Sequence, residues 1–230
     1  MDMLDKTLTI GIPTYGQVDP SFAVQLRQLQ IPFKKYEILN PQNMIIDEAR
    51  NFIVDKMKGD YLFFLDSDVV PPVDVIPRLL AHLEGTDKAI ASGLYFTKTQ
   101  PFYPVIFKES DLPGTYDTKI WYEKNKLIEI ASAGLGCCLI KREVFDAIGT
   151  KEEDKPIPWF KFTTGWSDKQ RESEDHYFFR RCREAGYKVY CDTSLTCGHI
   201  GPIAVLEGFW EQMRTDLYPT NKPVIKKTMK

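Results

Sequence analysis

The sequence predicts an α/β protein with a mostly parallel central sheet flanked by helices and a smaller antiparallel or mixed extension. Strand-like apolar segments alternate with helical patterns over residues 8–96. One of these segments, 61–65, is apolar on both faces, as strands at the centre of a parallel sheet are. Short aromatic and β-branched stretches separated by turn residues then fill 102–134, which is typical of antiparallel strands.

The first half alternates strands and helices in a regular order. The predicted elements are strand 8–12, helix 21–30, strand 35–40, helix 45–58, strand 61–65, helix 73–84 and strand 88–96. In the second helix, Ile45, Ala49, Phe52 and Ile53 have the spacing of one helical face. This order predicts parallel strands joined by right-handed crossovers.

The second half contains fewer regular elements. Residues 134–149 read as a strand followed by a short helix, and 202–215 as a last amphipathic helix. Between them, Ser173 is a plausible N-cap for a helix whose inward stripe is Phe178, Cys182 and Ala185 and which stops at Gly186. A strand follows at 187–191, and residues 216–230 form a basic tail.

Composition excludes some classes of protein. The chain has 230 residues and a net charge of -2, which argues against nucleic-acid binding through bulk electrostatics. No apolar run has the length of a membrane span, and the acidic start MDMLDKTLTIGI does not resemble a signal peptide. Five cysteines, an odd number, are most simply read as reduced thiols. We therefore expect a cytoplasmic protein with no transmembrane segment and no nucleic-acid partner.

Asp66-Ser67-Asp68 follows the apolar run 61–65 directly. Carboxylates at positions i and i+2 of an extended chain point to the same side, roughly 6–7 Å apart, and repel each other. Ligands of open α/β sheets bind at the carboxyl ends of strands, and paired carboxylates suit Mg²⁺ or Mn²⁺ with phosphate oxygens. The tripeptide also fits a simple cap before a helix that starts at Pro71-Pro72, so the residues alone leave both interpretations open.

A family resemblance decides between them. DYLFFLDSDVVPP (60–72) resembles the DxD segment of GT-A fold glycosyltransferases, particularly of the family 2 type. Five further segments resemble that family in the same order: IPTYG (12–16), ARN (49–51), SAGLGCCLIKREVFDAIG (132–149), SEDHYFFRRCREAGYKVYCD (173–192) and CGHIG (197–201). The resemblance implies one GT-A (nucleotide-diphospho-sugar transferase) domain over 1–230, with a nucleotide-binding half at 1–96 and an acceptor-binding half at 97–215.

The resemblance also implies roles for individual residues. The donor would be a nucleoside-diphosphate sugar carrying UDP or GDP, and the acceptor a glycan, a lipid-linked sugar or a small molecule. The metal ligands for Mn²⁺ or Mg²⁺ would be Asp68, Asp66 and His199. The nucleotide-sugar would be contacted by Pro13, Thr14, Tyr15, Arg50, Asp66 and Ser67. The base that deprotonates the acceptor hydroxyl would be Asp175, with Glu174 beside it.

Two departures from the family pattern qualify this prediction. The segment IIDEARN lacks the glycine that many members carry before the Arg-Asn pair, which leaves the role of Arg50 open. The Q-x-x-R-W motif of processive polysaccharide synthases is absent, which favours a non-processive and, with Asp175 as base, an inverting transfer. Two alternatives are a haloacid-dehalogenase-like Mg²⁺-dependent phosphohydrolase, whose opening motif FLDSDVV also fits, and a nucleotide-sugar-binding module without catalysis.

Other chemically active residues have structural interpretations. We expect a structural role for His176, a surface position for His82, and an apolar strand pair at Cys137-Cys138. The spacing of Cys191, Cys197 and His199 does not fit a zinc site. The aromatic residues of the loop at 159–166 either pack the core or form an acceptor-binding lid; they are Trp159, Phe160, Phe162 and Trp166.

Overall fold

The computed structural model describes residues 4–111, 115–149, 151–152, 155–156, 158–163, 172–201, 207–208, 210–211 and 214. The helices are α1 (Pro20–Gln28), α2 (Ile46–Lys56), α3 (Val75–Leu83), α4 (Arg142–Ile148) and α5 (Glu174–Glu184). The strands are β1 (Leu4–Gly11), β2 (Phe33–Leu39), β3 (Tyr61–Leu65), β4 (Val69–Val70), β5 (Ile90–Leu94), β6 (Ile106–Glu109), β7 (Tyr116–Thr118), β8 (Leu127–Ile130), β9 (Ser132–Ala133), β10 (Cys137–Lys141), β11 (Lys151–Glu152), β12 (Lys155–Pro156), β13 (Val189–Thr196) and β14 (Gly198–His199).

A seven-stranded sheet in the order β2-β1-β3-β10-β5-β13-β8 forms the centre of the fold. Strands β2, β1 and β3 are mutually parallel, and β5 is parallel to β13. Strand β10 lies between β3 and β5 and is antiparallel to both, and β8 is antiparallel to β13 at the edge. The predicted mostly parallel α/β sheet is confirmed, and the insertion of β10 at its centre is a feature that the element order did not indicate.

Strand β3 supplies side chains to hydrophobic cores on both faces of the sheet. All five of its residues are buried. Because side chains alternate along a strand, Leu62 and Phe64 join the core that contains residues of α2, α4 and α5. Tyr61, Phe63 and Leu65 join the core that contains residues of α1 and α3. Burial on both faces confirms the central position predicted for 61–65 and fixes where its carboxyl end lies.

Helix α2 buries a different face from the one predicted. Ile45 and Phe52 are 57% and 40% exposed, although the apolar pattern placed both on the inner face. The buried residues of the helix are Ala49, Arg50, Ile53 and Val54. The helix is therefore turned so that the guanidinium of Arg50 lies under the carboxyl end of β3, where it meets acidic side chains.

The antiparallel extension consists of a three-stranded sheet in the order β7-β6-β9. Residues 119–125, which were predicted as a strand, form no strand. Ser173 caps α5 as predicted, with its hydroxyl accepting from the His176 amide, and Gly186 ends the helix with a φ of 88°. Ala185, predicted to be inward, is exposed.

Of the predicted last helix, the described residues are helical: Glu207, Gly208, Trp210, Glu211 and Arg214. Within the described parts of the chain, no helix is long and apolar enough to cross a membrane.

Candidate active site

Two strand ends bring the DxD turn and the late histidine together. The turn formed by Asp66, Ser67 and Asp68 joins β3 to β4. Strand β4 pairs with β14, so that His199 lies opposite Val69. The amide of Ile200 also donates to the Asp68 carbonyl at 2.7 Å. Backbone pairing across about 130 residues of chain thus places His199 beside Asp68.

Asp66 turns towards Arg50. Its carboxylate accepts from Arg50 Nη2 at 3.1 Å, and its amide donates to the Gly136 carbonyl at 3.1 Å. Gly136 lies close against this carboxylate, because a Cβ at that position would be 3.0 Å from Asp66 Oδ2 and 3.0 Å from the Tyr95 hydroxyl. The Gly136 amide in turn donates to that hydroxyl at 3.1 Å. The backbone of the β9–β10 turn therefore holds Asp66 in its orientation.

Arg50 also binds the two acids at the start of α5. Its Nη1 donates to Glu174 Oε1 at 2.5 Å and to Asp175. The Arg50 side chain is 2% exposed and that of Glu174 8%, whereas 22% of the Asp175 side chain is exposed. One guanidinium thus faces three carboxylates, so the cluster has excess negative charge, and Asp175 is its outermost acid on α5.

The pKa values of Arg50 and Asp175 are both raised within this cluster. Burial disfavours the Arg50 cation, but the carboxylates of Asp175, Asp66 and Glu174 outweigh burial and raise the pKa of its guanidinium further above the usual range. Burial raises the pKa of Asp175 to about 8; Glu174 and Asp66 add to the rise, and Arg50 opposes it. The dipole of α5 favours the anion and would by itself make Asp175 a weak base. A pKa near neutrality instead suits a group that accepts a proton.

Asp68 has a separate set of partners. Lys98 Nζ donates to Asp68 Oδ2, and His199 Nε2 lies 3.5 Å from Asp68 Oδ1. Burial works against the anion, but His199 and Lys98 outweigh it and lower the pKa of Asp68 to about 2. Asp66 and Asp68 therefore face different counter-ions, whereas an extended chain would have pointed both in one direction.

The tautomer of His199 is fixed by its other neighbour. Nδ1 lies 2.6 Å from the Phe96 carbonyl oxygen, which can only accept, so Nδ1 carries the proton. In the neutral ring, Nε2 is then an acceptor that faces the Asp68 carboxylate, which is also an acceptor. When Nε2 is protonated it donates to this carboxylate, which lowers the pKa of Asp68. When Nε2 is neutral, its lone pair and the carboxylate can share a cation. Imidazole and carboxylate are both ligands of Mn²⁺, so this pair fits one side of a divalent metal site.

The residues that the structure describes do not form a complete metal site. Among them, no three histidine, cysteine, aspartate or glutamate side chains are grouped closely enough to hold an ion. Of the three predicted ligands, Asp68 and His199 lie together and Asp66 is bound to Arg50. A metal held by Asp68 and His199 would need further ligands, and phosphate oxygens of a substrate are the usual ones for Mg²⁺.

A cleft of about 420 Å³ lies beside the end of β1. The three residues predicted to contact the nucleotide, Pro13, Thr14 and Tyr15, line it together with Phe162 and the start of α2. Thr14 is buried and is held by Asn40, whose amide donates to its hydroxyl at 2.8 Å. Tyr15 is 79% exposed and Phe162 45%. The cleft thus presents two exposed aromatic rings on a rigid floor.

The aromatic loop serves more than one purpose. Trp159 donates its indole N–H to the Phe145 carbonyl at 2.9 Å, and Phe160 is 1% exposed and stacks on Phe178. These two residues pack the core, and only Phe162 among the described aromatics of the loop reaches the cleft. Trp166 lies outside the described residues.

Sequence reasoning missed two residues of the site. Lys98 carried no local signal, because a lysine in a loop is usually solvated. Gly136 lies within a segment that resembles the family, but only its position against Asp66 shows why a side chain is excluded there. The remaining histidines and cysteines behave as structural groups. His176 is held by Ser132, half-buried His82 by Asp192, and all five cysteines are free and buried.

The fold and this arrangement of carboxylates at the carboxyl edge of the sheet define a GT-A type protein. The profile of Glycosyl transferase family 2 matches residues 21–149, and the chain belongs to this family. The match supports a transferase over the phosphohydrolase alternative.

One relative and two solved structures are similar to this chain. The uncharacterized glycosyltransferase YfnE of Bacillus subtilis (strain 168) is 24% identical over 185 residues, which are 73% of this chain and 46% of that protein. The chain thus spans about half the length of this relative. The crystal structure of A197 from STIV has the same fold, with a TM-score of 0.57 and 24% identity, and the match covers 85% of this chain and 86% of that chain. The crystal structure of GalNAc-T7 with UDP, GalNAc and Mn²⁺ also has this fold, with a TM-score of 0.60 and 13% identity, and the match covers 96% of this chain and 49% of that chain.

Proposed function

We propose that the protein transfers a sugar from a nucleoside-diphosphate sugar to an acceptor hydroxyl, with a divalent metal and with inversion at the anomeric carbon. The observation that carries this proposal is the pair formed by the Asp68 carboxylate and the His199 imidazole, 3.5 Å apart at the carboxyl edge of the sheet. Family membership supports the class of reaction. GalNAc-T7, which has the same fold, binds UDP, GalNAc and Mn²⁺ in its crystal structure.

In this proposal the donor lies along the edge formed by β1, β3 and β14. The nucleotide base enters the cleft between Tyr15 and Phe162, whose exposed rings offer stacking surfaces. Asp68 and His199 hold Mn²⁺ or Mg²⁺, which when bound neutralises the negative charge that develops on the leaving diphosphate. Asp66 and Ser67 are proposed to contact the nucleotide-sugar, and residues 1–96 to form the donor-binding half.

The acceptor binds on the side of α5. Asp175 is the more exposed acid of the Glu174-Asp175 pair and has a pKa near neutrality. It takes the proton from the acceptor hydroxyl, and Arg50 orients it by a direct hydrogen bond. Glu174 is buried against Arg50 and acts as a structural anion. Residues 97–215 form the acceptor-binding half, for a glycan, lipid-linked or small-molecule acceptor, and the absence of Q-x-x-R-W supports single, non-processive transfers.

The test measures binding of UDP and GDP by calorimetry, in Mn²⁺ and in a chelator. We expect metal-dependent binding that Asp68→Ala abolishes and His199→Ala weakens by about tenfold or more, as loss of a metal ligand does. Asp117→Ala, which removes a surface acid paired with Lys108, is the matched control. Equal affinity for both nucleotides in Mn²⁺ and in chelator, or unchanged affinity in Asp68→Ala, would disprove the metal site. Release of free sugar from UDP- and GDP-sugars with Mn²⁺ would separate an enzyme from a binding module.

A further inference from the structure

Lys98 is hydrogen-bonded to Asp68, one of the two residues proposed to bind the metal. Its ammonium donates to Asp68 Oδ2, while His199 faces Asp68 Oδ1. Lys98 lies just after β5, in a turn whose backbone is closed by two bonds: Thr97 N to Tyr103 O and Phe102 N to Thr99 O, both at 2.8 Å. The backbone that carries Lys98 is therefore fixed, and any adjustment must come from its four-carbon side chain.

The Lys98–Asp68 ion pair is open to solvent. The two side chains are 35% and 39% exposed, compared with 2% and 25% for Arg50 and Asp66. A pair at this exposure is screened by water and held weakly. The lysine ammonium is a compact charge on a flexible stem with three donors, so it can change partners without moving the backbone.

Charge balance indicates where Lys98 goes when a metal binds. A divalent ion on Asp68 and His199 would repel an ammonium at hydrogen-bond distance from the same carboxylate. The diphosphate of the donor keeps net negative charge after one divalent ion has bound, and phosphate oxygens are strong acceptors for a lysine. A diphosphate bound to a metal on Asp68 and His199 would lie at the Asp68 turn, within reach of the Lys98 side chain.

We propose that Lys98 exchanges partners during donor binding: it neutralises Asp68 in the metal-free protein and donates to the donor diphosphate once the metal occupies Asp68 and His199. This inference rests on the proposed function. It makes Lys98 a donor-binding residue that also competes with the metal. The first role weakens the binding of the metal and the second strengthens the binding of the nucleotide, so one substitution of Lys98 tests both.

The experiment compares Lys98→Met with the wild-type chain. Methionine keeps the length of the side chain and removes its charge. We expect Mn²⁺ alone, measured by the paramagnetic resonance of free Mn²⁺, to bind about two- to fivefold more tightly, because a weak competing ion pair is lost. We expect UDP and GDP, titrated in saturating Mn²⁺, to bind about tenfold more weakly or worse, because a charged hydrogen bond to phosphate is lost.

Lys6→Met is the matched control, since Lys6 forms a similarly exposed pair with Glu84 at the start of β1. It should change neither affinity, and melting curves of both variants confirm folding. If Mn²⁺ binds Lys98→Met no more tightly, or the nucleotides bind it no more weakly, the exchange is disproved. If wild type and Asp68→Ala respond alike to metal and nucleotide, the proposed function fails as well, and the two failures are thereby distinguished.

Discussion

The two aspartates of the DxD turn are two residues apart, yet they belong to different kinds of ionic cluster. Asp66 joins a buried group in which Arg50, 2% exposed, is bound on three sides. Asp68 joins a group that is open to solvent, where Lys98 and Asp68 are both more than a third exposed. Burial makes the first cluster a fixed part of the core, and exposure leaves the second able to change partners when ligands arrive.

The largest expected effect comes from removing the centre of the buried cluster. Arg50→Met leaves Glu174, Asp175 and Asp66 without their shared cation, and breaking a buried ion pair costs about 3–5 kcal/mol. We expect a loss of this order in the free energy of unfolding, measured by denaturation in urea. Lys98→Met, the equivalent change in the open cluster, should lose no more than about 1 kcal/mol. Equal losses in the two variants would contradict the distinction between the clusters.

The next prediction concerns Asp175, the more exposed of the two acids that α5 contributes to the buried cluster. Asp175→Asn keeps the shape of the side chain and removes its ability to accept a proton. Sugar transfer should fall by about 10²-fold or more, while affinity for the nucleotide-sugar stays close to that of the wild type. The wild-type rate should rise with pH towards about 8, because burial raises the pKa of Asp175 and only its anion is a base.

The product of the wild-type reaction checks the same assignment independently. An in-line attack assisted by a base on the acceptor side inverts the anomeric carbon, which NMR of the product detects. Retained configuration, or near wild-type turnover in Asp175→Asn, would remove Asp175 from the mechanism.

A smaller effect is expected from His176, a half-buried base on α5 that contacts no acid among the residues that the structure describes. His176 stacks on the Tyr116 ring and lies 2.7 Å from the Ser132 hydroxyl. Burial, with a contribution from Arg183, lowers the pKa of His176 to about 4, from about 6.5 in an unfolded chain. The unfolded chain therefore binds more protons between these values, so stability is complete above pH 6.5 and falls as the pH drops towards 4.

This loss is measurable with a single substitution. Between pH 7.5 and pH 5 the contribution of His176 falls by about 2 kcal/mol, since one pKa unit corresponds to about 1.4 kcal/mol. The His176→Gln variant can still form a hydrogen bond to Ser132. Between pH 7.5 and pH 5, its free energy of unfolding should fall by about 2 kcal/mol less than that of the wild type. An identical pH dependence in the variant and the wild type would show that His176 titrates normally in the folded protein.

Sequence patterns predicted the parts of the fold that depend on local chemistry. Tyr61–Leu65 is a central strand because five successive apolar residues need burial on both faces, and Ser173 caps α5 because its hydroxyl meets a free amide of the first turn. The inner face of α2 was predicted wrongly, because apolarity favoured Phe52 over Arg50. Arg50 is buried because its partner Glu174 arrives from 124 positions further along the chain, which no local pattern contains.

The same limit applied to the candidate site. The segments that resemble the family named Asp66, Asp68, Asp175 and His199, and the structure places all four around the carboxyl edge of the sheet, where their roles remain predictions. The family resemblance did not identify Lys98, because the significance of this lysine comes only from its contact with Asp68. Nor could the order of strands be read from apolar patterns, which indicate that a strand is buried but not which neighbours it has.

The position of β10 has a consequence for how the chain becomes a folded protein. Residues 1–96 contain β3 and β5, but the strand that joins them in the sheet comes from residues 137–141. In a growing chain that has reached residue 96, the facing edges of β3 and β5 are still unpaired, and all residues of both strands are buried in the final fold. Such edges are templates for aggregation until they are filled. The sheet that residues 1–96 begin can therefore be completed only after β10, and on the far side of β5 also β13, have been made.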